Sequence, residues 1–201
     1  SAPEAVDLTG ETEATKKMYG FGNKDTEPFG RNCLMARRLV ERGVRFVQLF
    51  DQGWDHHSSV FTNIPKKAKQ IDQPVAALIA DLKQRGLLDE TLIVLGGEFG
   101  RTPMLQGKSN AGVGKNVGRD HHKEGFTMML AGGGVKGGFE FGATDELGYH
   151  ALGEGHYVTD LHATVLQVMG LDPNNLSYFY GGLNQKLVGV EGAESIHQII
   201  A

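Results

Sequence analysis

Asp55 and His57 stand two residues apart in "GWDHH" (residues 53–57), and Asp120 and His121 stand side by side in "GRDHH" (residues 118–122). Aspartate and histidine are oxygen and nitrogen donors for transition metals, and two donors separated by one loop residue can turn toward one point. His56, between them, would face away. Glu98, in "GGEFGRTP", adds a further carboxylate. The candidate ligands are therefore Asp55, His57, Glu98, Asp120 and His121, enough for one site or two. Mixed nitrogen and oxygen donors suit zinc, manganese or iron better than calcium or magnesium alone. The competing reading is a pair of solvated polar loops, with Asp55 and Asp120 making Asx turns. Arg101 either binds an anionic substrate or pairs with Glu98, since a guanidinium is the bidentate partner of phosphate and carboxylate alike.

Other chemistry-bearing residues have less company. Thr102 and Ser109 fall near these segments, but nothing in the sequence places a base beside either. Trp54 reads as a packing anchor for its loop, and His162 as part of a helical turn. His150, His156 and His197 have no neighbours that argue for chemistry. Gly132, Gly134 and Gly137 match the spacing of a dinucleotide loop, yet "KGGFEFG" follows and cannot open the required helix, so a tight turn is expected. "GVGKN" lacks both the first glycine and the final Ser or Thr of a phosphate loop.

The elements that must position the candidate ligands follow from hydrophobic periodicity. "PFGRNCLMARRLVERG" predicts a helix with Phe29, Cys33, Leu34, Leu39 and Val40 on one face, and "VRFVQLF" (44–50) then reads as a buried strand. Ile71, Val75, Leu78, Ile79 and Leu82 mark a second helix, in which Pro74 is tolerated near the start or as a kink. "TLIVLGG" and "FTMMLAGG" read as two more strands, separated by a long Gly- and Asn-rich loop from Gln106 to Gly118. "YVTDLHATVLQVMG" predicts a last helix capped by Thr159 or Asp160, followed by a peripheral tail. Strands alternating with helices predict an α/β fold, a mainly parallel sheet with helices on both faces and ligands at the carboxyl ends of its strands. Residues 1–27 form a peripheral arm, and residues 28–201 hold the domain.

Composition removes several classes. The chain has 201 residues, a formal net charge of −4 and 40% hydrophobic residues, which fits one folded domain without a basic face for nucleic acid. No apolar run approaches the roughly 18 residues of a membrane span. Cys33 is the only cysteine, so cysteine-rich zinc sites are excluded. The first residue is Ser and no signal core opens the chain, which suggests a processed product or part of something longer.

Taken in order, "GWDHH", "GGEFGRTP", "GRDHH", "GGGVKGGFEFGATDELG" and "DLHATVLQVMGLDP" resemble the C-terminal half of an uncharacterised bacterial sulfatase-like family. That family carries a conserved domain of unknown function, is exported by the twin-arginine route and is placed in the alkaline phosphatase superfamily. The resemblance covers residue 28 to the end. It implies an alkaline-phosphatase-like partial domain, a periplasmic or cell-surface location and a divalent metal. It further implies hydrolysis of a phosphate or sulfate ester, an anionic substrate, with the upstream half of the same protein as partner. Asp55 and His57 would hold one metal, Glu98 and His121 would complete the site, and Arg101 would bind the anion. The superfamily's nucleophile would lie upstream, and Phe99 replaces a usual histidine. The alternative is a non-catalytic exported binding or surface protein with a structural metal or none.

Overall fold

The helices form where apolar residues recur every third or fourth position. The computed structural model describes residues 2–107, 116–153, 155–189 and 191–201. Ser109 and most of "GVGKN" lie outside these residues, as does most of the glycine-rich loop. The longest elements are α3 (Glu27–Glu41) and α4 (Val60–Gln84). Pro28 opens α3, where its missing N–H costs no bond, and Gly86, at φ +70°, follows the end of α4. Helix α4 runs through both Pro65 and Pro74, and Pro74 is buried. Phe29, Cys33 and Leu34 of α3 pack against Ala77 of α4. Burial pushes the Cys33 thiol up to about 12, so it is an inert core residue.

The expected arm carries two short helices, α1 (Ala2–Val6) and α2 (Glu13–Met18). Tyr19, directly after α2, is fully buried among the helices. Its hydroxyl donates to Asp81 of α4 at 3.0 Å. Asp81 belongs to a buried ionic cluster that periodicity could not reveal. Arg37 of α3, with 2% of its side chain exposed, meets Glu11 at 2.7 Å, Glu41 at 2.5 Å and Asp81 at 3.0 Å. Burial opposes the charged forms of Glu11 and Asp81. Hydrogen bonds from Arg38 and Arg37 to Glu11, and from Arg85, Gln84 and Tyr19 to Asp81, outweigh it and hold both carboxyls below their ordinary values. Carboxyls depressed on folding stabilise the protein above their unfolded values and cease to do so as pH falls through the folded ones. The melting temperature should therefore fall from about pH 4 downward, and thermal melts at stepped pH would show it; a melting temperature constant down to pH 2 would contradict the cluster's role.

The strands depart from expectation. Strand β1 (Leu92–Leu95) pairs antiparallel with β4 (Met129–Gly132), and β2 (Gly100–Arg101) pairs antiparallel with β3 (His121–His122). Between them the chain folds back on itself, with Leu92 opposite Gly132, Gly100 opposite His122 and Gln106 opposite Gly118. After α5 (Val158–Val168), the tail forms a hairpin of β5 (Ser177–Tyr180) and β6 (Leu183–Lys186). Every sheet among the described residues has two strands, paired antiparallel. The expected α/β fold, a mainly parallel sheet covered by helices on both faces in the alkaline-phosphatase manner, is therefore not the fold of this chain.

Besides this antiparallel pairing, one expected strand is missing. "VRFVQLF" makes no strand, and Phe46 and Phe50 are 70% and 74% exposed. Its residues are apolar enough for a strand but form no ladder. Only Leu49 reaches the helical core. Gly132, the last residue of β4, and Gly134, in the tight turn expected after it, take φ of +96° and +78°, and no helix follows directly. The last helix is capped by Tyr157 rather than Thr159 or Asp160. Asp160 instead sits three residues in and accepts the Tyr157 backbone N–H at 2.9 Å. No helix among the described residues is long and apolar enough to cross a membrane. The chain exposes 13522 Å², against roughly 9,300 Å² for a compact monomer of its mass.

Candidate functional site

Two loops and one ladder build the site. The "GWDHH" loop is pinned at its start by Asp51, which accepts the Trp54 ring N–H at 2.7 Å and pairs with Lys67 of α4 at 2.8 Å. Trp54 is thus the anchor its loop position suggested. The loop's far end is stitched to "GRDHH": the Arg119 N–H donates to the His56 carbonyl at 3.0 Å, and the Val60 N–H to the Val117 carbonyl at 3.0 Å. The β2–β3 ladder then sets Arg101 directly opposite His121, so both lie on one face. Strand alternation sends His122 the other way, where it is buried against the Tyr149 ring with centroids 4.4 Å apart.

This arrangement brings Asp55, His57 and His121 together. Asp55 Oδ1 is 2.9 Å from His57 Nε2 and 3.0 Å from His121 Nε2, and the two Nε2 atoms are 3.2 Å apart. Donors held at about 2.0–2.1 Å around one cation stand about 2.9 Å apart at right angles and about 3.3 Å apart in a tetrahedron. The three residues fit such a group, at its right-angled end, and can hold a metal ion. All three are exposed, which leaves the outer side open to further ligands.

The other candidates fall around this centre. Arg101 Nη1 donates to Asp55 Oδ1 at 2.6 Å, so its carboxylate partner is Asp55 rather than Glu98. That bond, followed by the one from His121, holds the Asp55 carboxyl at about 2. Asp55 is therefore ionised at neutral pH. Asp120 stands outside the group: its Oδ1 accepts the His121 backbone N–H at 2.8 Å and lies 3.9 Å from His57 Nδ1. Glu98 is exposed and also outside it. The Thr102 hydroxyl donates to the Met104 carbonyl at 3.0 Å and accepts the Asp120 N–H at 3.2 Å, so it is tied into the backbone. The candidate Ser109 lies outside the described residues.

Three further residues shape the centre; in the sequence Phe99 stood out only as the replacement of a histidine, and Gln106 and Gly118 only as the bounds of the loop. The Phe99 ring packs on His121 with centroids 4.4 Å apart, and the Arg101 guanidinium lies 5.6 Å from the Phe99 centroid. Gln106 Oε1 accepts from His57 Nδ1 at 2.6 Å. Gly118 lets "GRDHH" approach the other loop, since a Cβ there would strike the His57 backbone carbonyl. Gly118→Ala should accordingly cost about 1–3 kcal/mol through forced backbone displacement, read from urea unfolding; a change under about 0.5 kcal/mol, the range of an indifferent surface substitution, would contradict the close approach.

A family model described as "Protein of unknown function (DUF1501)" matches residues 1–200. The chain belongs to the DUF1501 family. No curated protein and no solved structure matches this DUF1501 chain. The match thus bears out an uncharacterised family, and nothing in the comparisons places the chain among sulfatases or alkaline phosphatases.

Proposed function

We propose that the protein is a metal-dependent hydrolase of anionic esters, phosphate or sulfate, centred on Asp55, His57 and His121. The observation that carries this reading is the convergence of one ionised carboxylate oxygen and two imidazole nitrogens within 3.2 Å of one another. Zinc, manganese and iron all accept such donors. When bound, a divalent cation there would polarise an ester oxygen and acidify water toward neutral pH. Asp55 and the two histidines would hold the cation. Arg101, beside Asp55, offsets the negative charge of the ester. The open side of the group supplies room for substrate.

A second reading has an observation of its own. The Thr102 hydroxyl is engaged with Met104 and Asp120, and no other described hydroxyl is tied to the group. A centre with no described hydroxyl tied to it suits a non-catalytic binding protein with a structural metal. The two readings part in one experiment. Protein loaded with zinc, manganese or iron is assayed on p-nitrophenyl phosphate and p-nitrophenyl sulfate beside Asp55→Ala. Metal-dependent turnover lost in Asp55→Ala supports the hydrolase. Stoichiometric metal with no turnover of either ester removes it in favour of the binding protein.

A further inference from the structure

We infer that Gln106 is a positioning residue of this centre, fixing the tautomer of His57 so that Nε2 presents a lone pair to a cation. The inference rests on the metal reading above and adds a residue outside the ligand set. An amide oxygen can only accept, so the 2.6 Å contact between Gln106 Oε1 and His57 Nδ1 requires the proton on Nδ1. With Nδ1 so engaged, Nε2 is the ring nitrogen left to a cation. It lies on the far side of the ring from Gln106, 2.9 Å from Asp55 Oδ1 and 3.2 Å from His121 Nε2. Gln106 thereby holds the His57 ring with Nε2 turned toward the other two donors.

The backbone holds Gln106 to this task. Its N–H and carbonyl exchange two hydrogen bonds with Gly118, each 2.8 Å. Gly118 in turn abuts the His57 backbone, so the amide and the imidazole are referenced to one point of the chain. His121 is oriented differently, against the Phe99 ring, which is tilted 37° to it. An outer partner on a ligating histidine fixes ring orientation and raises basicity, and its loss weakens metal binding by about 10–100-fold.

The test uses the full chain with zinc alone as probe, in chelator competition, together with long-range proton–nitrogen NMR of 15N-histidine protein without metal. Wild type should show His57 as the Nδ1–H tautomer. Gln106→Ala should lose that tautomer's dominance and bind zinc about 10–100-fold more weakly while its melting temperature holds. Gln106→Glu, which keeps an acceptor in place, should restore both. If wild type binds zinc but Gln106→Ala matches it in affinity and tautomer, the inference fails and the metal reading survives. A wild type that takes up no zinc overturns both.

Discussion

Replacing either His57 or His121 with alanine should reduce cation affinity by more than the roughly 10–100-fold that follows loss of an outer partner. Each removes one of the three donors that approach within 3.2 Å of one another, and neither has a described neighbour that could stand in. Asp120, whose Oδ1 is engaged by the His121 backbone N–H, is badly placed to substitute. Glu98→Gln should leave affinity unchanged, because Glu98 is exposed and outside the group. Calorimetric titration of zinc into the four proteins reads this directly, with one site per wild-type chain. A His57→Ala protein that binds like wild type, or a Glu98→Gln protein that loses as much as the histidine variants, would show that the ligands are other residues.

The largest stability effect should come from far outside the site. Arg37→Met should destabilise the chain by about 3 kcal/mol, at the lower end for breaking a buried ion pair. The lower end applies because Glu11 keeps Arg38 at 2.5 Å and Asp81 keeps Arg85 at 2.8 Å. What is lost is the cation that joins three separate segments: Glu11 ahead of α2, Glu41 on α3 and Asp81 on α4. Adding Asp81→Asn to Arg37→Met should return part of the loss by removing an under-compensated buried charge. Urea unfolding of the single and double variants measures both steps. A cost below about 1 kcal/mol for Arg37→Met would place the cluster among ordinary surface pairs.

Residue types and periodicity made some of this legible. Ile71, Val75, Leu78 and Leu82 announced α4 because burial of one helical face imposes its period on the sequence. Asp55, His57 and His121 were legible as donors by residue type alone; that they meet, rather than form separate polar loops, depended on pairing between distant segments. Pairing was not legible. "TLIVLGG" and "FTMMLAGG" contain β1 and β4, but an apolar run records burial, not the direction of its neighbour, so antiparallel pairing of Leu92 with Gly132 left no trace in composition. Glu98 was drawn in by its place after a strand, and the structure leaves it in solvent. Gln106 and Arg37 were invisible for opposite reasons. A glutamine's role depends entirely on where its amide points, and an arginine on a helix reads as surface until carboxylates from two distant segments, Glu11 and Asp81, join Glu41 of its own helix around it.

The bare segment from Val44 to Phe50 has a consequence for handling the protein. A seven-residue stretch rich in β-branched and aromatic side chains, without proline or acidic residues and with no ladder of its own, is a ready template for cross-β growth. Arg45 is its single gatekeeper charge. Concentrated solutions should therefore drift toward thioflavin-positive fibrils seeded at Phe46 and Phe50, and a lysine at Phe46 should lengthen the lag before they appear.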